Sequence, residues 1–265
     1  MRTGRAWLGI GRVMTPGNEF PGQGPERTND NRRRLWPTLL AGVERTLDLG
    51  WRGWLVLALG VAAGWWLYVP LHELAHALGC LAAGGEVTRL EIAPEYGAAW
   101  LARWLPFVAV GSDYAGQLTG FDTGGHDGVY LATVLAPYLL TLFPGVPALL
   151  VCARRAGLAA TAGFGASLPW ALAPVLSLSG DYYEAGSILA SRAGAALTDA
   201  GAVAVATWRS DDLFRLVAEL AGRGALDGFN AVGIAAGLVL GILLALATLW
   251  LGTAIFHAMA KLAKP

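Results

Sequence analysis

Charged residues are scarce in this chain of 265 residues. Only 14% of the residues are Asp, Glu, Lys or Arg, whereas a typical soluble domain carries about a quarter. The mean hydropathy is correspondingly high, at +0.50. This composition excludes a largely disordered chain, argues against a soluble enzyme, and favours an integral protein of a lipid bilayer.

The chain also lacks an excess of charge of either sign and has few cysteines. Its 19 Lys and Arg balance its 19 Asp and Glu, so nucleic acid is not an expected partner. Cys80 and Cys152 are too few for a disulfide framework, and both lie in apolar stretches. We expect both to pack as small buried hydrophobic residues.

Four long apolar runs approach or exceed the roughly 20 residues that a helix needs to cross a bilayer. We predict spans at about 54–83, 129–152, 158–178 and 231–258. The first is long enough that we expect it to be tilted, or kinked or divided at Pro70. We predict four spans rather than five because the alanine-rich stretch 187–207 contains Arg192 and Asp199.

Basic residues set the predicted orientation. Arginines are concentrated in the first 53 residues, Arg154 and Arg155 follow the second span, and Lys261 and Lys264 follow the last. Four spans place all three groups on one side, which the positive-inside rule identifies as the cytosol. Since the Arg-, Ala- and Gly-rich composition is typical of high-GC bacteria, we expect the bacterial inner (cytoplasmic) membrane, with a cytosolic N-terminus.

Two segments precede the predicted membrane domain. Residues 1–34, rich in Arg, Gly and Pro, are predicted to form a flexible basic cytosolic tail. Residues 35–50 are predicted to form an interfacial amphipathic helix, and an ordinary surface helix packed on the rest of the protein is the alternative. The apolar side of that helix would contain Trp36, Leu39, Leu40, Val43 and Leu47.

The segment between the first two spans is mixed in character. Glu86–Ile92 alternates apolar and polar residues, which predicts a strand. Ala98–Val110 is apolar but too short to span, which favours a re-entrant or interfacial element. The predicted fold class is therefore an all-α polytopic membrane protein with about four transmembrane helices and a small strand-like or re-entrant segment between the first two.

A stripe of glycines marks the last span. Gly233, Gly237 and Gly241 recur every fourth residue, so another helix can approach this face closely. Packing within the chain is the favoured interpretation, and a helix–helix partner, such as a second copy, is the alternative.

One motif in the first apolar run contains residues suited to metal binding and catalysis. Residues 72–76 read His-Glu-Leu-Ala-His, an H-E-x-x-H pattern. On a helix, His72 and His76 lie on one face and can bind one zinc ion. Zinc lowers the pKa of a bound water toward neutrality, and Glu73 can take its proton and pass it to the leaving amine. Ionisable residues within a membrane span are costly and usually functional.

Two histidines do not complete a zinc site, because a catalytic site needs a third protein ligand. His72 and His76 lie late in the first predicted span, and the third span ends on the same side of the membrane. Asp181, just after that end, is therefore expected at a similar depth and is the favoured third ligand. Glu184 and His126 remain alternatives.

The stretch HELAHALGCLAAGGEV resembles the site-2 protease family of intramembrane zinc metalloproteases. It combines H-E-x-x-H on a membrane helix with small residues, a glycine pair and a strand-like segment. In that family the two motif histidines and an aspartate from a later membrane helix bind the metal. The resemblance implies that His72, His76 and Asp181 bind Zn2+ and that Glu73 is the catalytic acid/base.

The sequence thus predicts a membrane-embedded zinc endopeptidase, with 51–260 as its metalloprotease-like domain. Its substrate would be a transmembrane or membrane-adjacent protein or peptide. Glu86–Ile92 is predicted to bind that substrate by strand addition, and Ala98–Val110 to gate lateral access. A membrane gluzincin-type protease with Glu184 as the third ligand is one alternative. A non-catalytic membrane subunit or scaffold, derived from a degenerate protease, is the other.

Overall fold

A computed structural model of the protein describes residues 35–197 and 201–262. The predicted tail 1–34 and Lys264 lie outside the described residues. The helices are α1 (Leu35–Asp48), α2 (Gly50–Ala82), α3 (Ala98–Leu101), α4 (Asp127–Leu135), α5 (Tyr138–Leu140), α6 (Val146–Cys152), α7 (Leu158–Leu176), α8 (Asp181–Leu197), α9 (Gly201–Ala206), α10 (Leu213–Gly222) and α11 (Gly228–Leu262). The strands are β1 (Glu86–Ile92), β2 (Val108–Val110) and β3 (Gly116–Asp122).

Four stretches of helix among the described residues are long and apolar enough to cross a membrane, by length and composition. They are Gly50–Ala82, Asp127–Cys152, Leu158–Leu197 and Gly228–Leu262. The predicted fold, mostly helical with four such helices and a small strand segment, is confirmed at this level.

The third of these stretches is a broken helix and extends past the predicted end at residue 178. α7 ends at Leu176, residues 177–180 form a turn, and α8 begins at Asp181. The Gly180 carbonyl accepts the first hydrogen bond of the new helix from the Glu184 amide, at 2.8 Å. Because α8 continues to Leu197, residues 187–197 belong to this third stretch, and among the described residues of 187–207 there is no separate helix long and apolar enough to span.

Prolines interrupt the second stretch. α4 ends just before Pro137, and Phe143, which precedes Pro144, has an extended backbone with φ −157° and ψ 113°. A proline removes a backbone donor and crowds the preceding turn, so a helix tends to stop there. The result is a short helix, α4, that lies beside α2.

α2 is continuous, and Pro70 does not divide it. Its 33 residues give a length of about 50 Å at 1.5 Å per residue. Gly60 and Gly64 allow a close parallel approach to α7, since a methyl group on Gly64 would lie 2.7 Å from the Ala166 Cα. Trp170 on α7 also donates its indole N–H to the Gly64 carbonyl at 3.0 Å. This packing brings the end of α7 next to the second half of α2.

The sheet packs against that second half of α2. Its strand order is β2-β1-β3, with β1 parallel to β2 and antiparallel to β3. Leu90 and Ile92 of β1 are fully buried in a cluster with Ala77 of α2. The predicted strand at 86–92 is confirmed. The segment 98–110, predicted as one re-entrant or interfacial element, is instead divided into helix α3 and edge strand β2, because residues 108–110 pair with β1.

The glycine stripe of α11 packs inside the chain. A methyl group on Gly237 would lie 3.1 Å from the Ser187 Cα of α8, and one on Gly241 would lie 2.9 Å from the Tyr182 carbonyl carbon. Gly233 lies against the indole of Trp208. Each of these three positions is thus in contact with another part of the same chain.

α1 packs on the rest of the chain through a face of small residues. Leu35, Thr38, Gly42 and Thr46 are buried, and Gly42 lies against the ring of Phe164 on α7. Most of the predicted apolar side stays exposed, as at Trp36, Leu40 and Leu47. One face of this amphipathic helix is thus covered by protein, and the other offers an apolar surface.

Candidate metal centre

The two motif histidines point the same nitrogen toward each other. His72 and His76 lie one turn apart on α2, and their Nε2 atoms are 3.1 Å apart. The other ring nitrogen of each histidine, Nδ1, also has a hydrogen-bond partner, which we call its outer partner. His76 Nδ1 lies 2.9 Å from the Thr133 carbonyl, and His72 Nδ1 lies 2.8 Å from the Tyr68 hydroxyl. A backbone carbonyl can only accept, so His76 carries its hydrogen on Nδ1. That tautomer leaves the Nε2 lone pair free to bind a metal.

Asp181 supplies a carboxylate at the same point. Its Oδ2 lies 3.2 Å from His72 Nε2, and its Oδ1 lies 3.7 Å from His76 Nε2. Asp181 reaches this place because α7 packs along α2 and the break at 177–180 starts α8 there. One ligand atom from each of the three residues lies within 4.8 Å of the others.

The three side chains fit a zinc ion. Zn–N bonds of about 2.0–2.1 Å in a tetrahedral site place ligand atoms roughly 3.3 Å apart, close to the 3.1 Å between the two Nε2 atoms and the 3.2 Å between His72 Nε2 and Asp181 Oδ2. Oδ2 of Asp181 is also buried, and it has no hydrogen-bond donor when His72 Nε2, 3.2 Å away, presents its lone pair to a metal. A buried carboxylate oxygen without a donor is costly unless a cation satisfies it. Two imidazoles and one carboxylate leave the fourth position of such an ion open.

Glu73 lies next to this group and faces a cavity of about 820 Å³. His76 and Asp181 line the same cavity, and so do Gly116 and Gln117 of β3. The Glu73 side chain packs on Gly116, where a methyl group would lie 2.5 Å from its Cγ. The Glu73 side chain therefore lies between the metal group and the edge of β3 on one cavity.

The segment from residue 209 to 219 forms the opposite wall of the cavity. Arg209 donates two hydrogen bonds to Asp127, at 2.6 and 3.0 Å, and one to Ser191 at 2.7 Å. Arg215 donates to Glu219 at 2.9 Å, and this hydrogen bond raises the pKa of the guanidinium. The Arg209 contacts tie the wall to α4 and α8.

The other sequence candidates lie apart from the group of three. Glu184 lines the cavity one turn after Asp181, but its Oε1 accepts a 2.5 Å hydrogen bond from the Tyr130 hydroxyl. His126 is exposed at the start of α4 and lines a different cavity, with Arg192. Cys80 is fully buried near the carbonyls of Glu86 and Asp122. Across 35–197 and 201–262, only one group with metal-ligand geometry occurs.

Sequence reasoning missed the residues that support the group. Tyr68 had a usable signal, because it lies four residues before His72 on the same helix face. No sequence pattern marked Thr133 or Gly116. Thr133 contacts His76 from 57 residues away in the chain, and Gly116 contacts Glu73 from 43 residues away.

No protein-family model, curated protein or solved structure matches this chain. The case for a function therefore rests on the site itself.

Proposed function

We propose that the protein is a membrane-embedded zinc endopeptidase of the site-2 protease type. The observation that carries the proposal is the convergence of His72, His76 and Asp181 from two helices, with Glu73 beside them on a cavity. Packing alone gives no reason to place two imidazoles, two carboxylates and a cavity together between apolar helices.

Three residues would hold the ion. His72 and His76 would bind it through Nε2, and Asp181 through one carboxylate oxygen. Imidazole and carboxylate ligands in tetrahedral geometry suit zinc. Bound zinc supplies a water of near-neutral pKa and polarises a carbonyl.

Glu73 would move the proton. It is not one of the three proposed ligands and it lines the cavity, so its carboxylate is free to accept a proton from the attacking water. The same carboxyl group then returns that proton to the nitrogen of the leaving amine. This transfer completes hydrolysis of the peptide bond.

The substrate segment would lie along β3. The expectation that substrate adds to the strand Glu86–Ile92 does not fit its position, because β1 is the central strand and its residues 90–92 pair with both β2 and β3. β3 is an edge strand, and its Gly116 and Gln117 line the cavity beside Glu73. An extended transmembrane or membrane-adjacent peptide added there would reach the site through main-chain hydrogen bonds.

The gating role predicted for Ala98–Val110 does not fit the position of that segment. Residues 98–110 comprise α3, β2 and the segment between them. β2 lies on the far side of β1 from β3, and none of these residues is among the described residues that line the cavity. α10 lies at the cavity instead, through Phe214, Arg215 and Leu216. We assign any gating role to α10.

The orientation remains part of the proposal. Arg154 and Arg155 follow the second helical stretch, and Lys261 lies in the last turn of the fourth. With these residues cytosolic, the sheet, the metal group and α10 face the outer half of a bacterial inner membrane.

Metal content tests the proposal first. We expect about one zinc per purified chain, lost in His76→Ala and in Asp181→Ala, and retained in Glu73→Gln. Glu73→Gln should abolish cleavage of a membrane peptide substrate that the wild-type protein cleaves. Full turnover by Glu73→Gln would refute the mechanism.

Other outcomes would favour the alternatives. Zinc retained in Asp181→Ala and lost in Glu184→Ala would indicate the gluzincin type. Wild-type protein that holds no zinc after reconstitution would indicate a non-catalytic subunit or scaffold.

A further inference from the structure

We propose that Tyr68 is a positioning residue that sets the orientation of His72 for metal binding. The inference rests on the proposed function and adds a residue that the H-E-x-x-H pattern does not contain. Its basis is the contact between the Tyr68 hydroxyl and His72 Nδ1, at 2.8 Å.

The direction of this hydrogen bond follows from the site. His72 Nε2 faces His76 and Asp181, so it is the nitrogen available to a metal. An imidazole that binds through the Nε2 lone pair carries its hydrogen on Nδ1. In the metal-bound protein, Nδ1 therefore donates to the phenol oxygen of Tyr68. Outer partners of this kind hold the ring plane and tautomer of a ligating histidine.

Tyr68 is itself held in place. Its side chain is buried, with 6% of the residue exposed. Its ring meets Trp170 edge-on, at 5.6 Å between centroids, and Trp170 is fixed by its hydrogen bond to the Gly64 carbonyl. The phenol oxygen is thus positioned by the interface between α2 and α7, the same interface that brings Asp181 to the site.

The two histidines differ in how they are supported. His76 uses the backbone carbonyl of Thr133, which no substitution removes. His72 uses a side chain, so one substitution removes its support while both ligands stay. Without the phenol, the His72 ring can turn about its side-chain bonds. Metal binding then carries the entropic cost of ordering the ring, which weakens the affinity.

Tyr68→Phe tests this role, because it keeps the aromatic ring and removes only the hydroxyl. Tyr96→Phe is the matched control: its phenol accepts a hydrogen bond from Trp65 Nε1 at 3.1 Å and touches no ligand of the metal group. Zinc affinity is measured on the full chain by competition with a chromophoric chelator. The absorption bands of the Co2+-loaded protein then report ligand geometry.

We expect Tyr68→Phe to bind zinc about 10–100-fold more weakly than wild type, the usual effect of losing an outer partner of a metal-bound histidine. Its Co2+ bands should shift, while Tyr96→Phe matches wild type in both measurements. An affinity within twofold of wild type, with unchanged Co2+ bands, would overturn the inference and leave the proposed function standing. Wild-type protein that binds no metal would overturn both.

A second measurement needs no variant of Tyr68. The chain has four histidines, so nitrogen NMR of zinc-loaded protein with labelled histidine can be assigned with single substitutions. We expect His72 to show a metal-bound Nε2 and a protonated, hydrogen-bonded Nδ1. Metal bound at Nδ1 would refute the role of Tyr68 even if Tyr68→Phe does not fold.

Discussion

Glu73 and Gly116 are in direct contact, so the edge strand of the sheet touches the proposed catalytic carboxylate. A methyl group on Gly116 would lie 2.5 Å from Glu73 Cγ and 3.1 Å from its Cδ. Carbon atoms do not approach this closely without a shift of one of them. The absence of a side chain at Gly116 therefore leaves the room that the Glu73 side chain occupies.

Gly116→Ala should lower the rate of peptide cleavage about a hundredfold, because a displacement of about 1 Å at a catalytic group has an effect of that size. Zinc content should stay at the wild-type level, since Glu73 is not among the three proposed ligands. Gly128→Ala is the control, because nothing lies within 4 Å of a methyl group there. Unchanged cleavage by Gly116→Ala would show that the contact does not position Glu73.

Asp181→Asn and Glu184→Gln separate the two carboxylates of α8. An amide is a poor zinc ligand, so Asp181→Asn should weaken zinc binding by at least about a hundredfold, more than loss of an outer partner does. Glu184→Gln should keep zinc, because Glu184 is engaged by the Tyr130 hydroxyl. Equilibrium dialysis measures both. Zinc loss in Glu184→Gln with retention in Asp181→Asn would reverse the assignment.

Gly64→Val should destabilise the protein, because the new side chain would meet the backbone of Ala166 where α2 and α7 pack. Overpacking of this kind costs about 1–3 kcal/mol, and more where backbone must move. Ala63→Val, on an exposed side of the same helix, is the control and should change stability little. Detergent-induced unfolding followed by circular dichroism compares them. Equal stability of the two variants would contradict the close parallel packing.

Arg209→Met should loosen the wall of the cavity formed by residues 209–219. Arg209 makes three hydrogen bonds to Asp127 and Ser191, and charged hydrogen bonds contribute about 1.5–3 kcal/mol when buried. Both partners of the ion pair are partly exposed, so we expect the lower end of that range. Faster proteolysis within 207–219 is the readout. Arg215→Met, which removes an exposed pair, should have little effect, and similar proteolysis of both variants would argue against the anchoring role.

Removal of the metal should lower thermal stability in wild type and not in Asp181→Asn. A ligand that binds only the folded state stabilises it by about 4 kcal/mol at a thousand times its dissociation constant. We therefore expect a chelator to lower the melting temperature of wild-type protein, and added zinc to restore it. A melting temperature of the wild type that does not respond to chelator or to zinc would argue against a tight site.

Local patterns predicted the local features of this chain. The alternation in Glu86–Ile92 indicated β1, and the long apolar runs indicated the four long helical stretches, because both signals are read from consecutive residues of the chain. The pairing of two histidines on one face followed in the same way from a spacing of four. The nomination of Asp181 needed only the order of the spans along the chain.

Other features depend on contacts between residues far apart in the chain. No local pattern marks β3 as the free edge, since that depends on which strands pair with β1.

Residue chemistry and spacing therefore decided which groups this protein can use, namely two imidazoles and a carboxylate on one helix with further carboxylates downstream. Tertiary packing decided which of them meet. Glycines at the α2–α7 interface let two backbones approach, and that approach carries Asp181 to His72 and leaves Glu184 with Tyr130. The distinction is physical: a helix face is set by bonds within one turn, whereas the distance between two helices is set by every side chain between them.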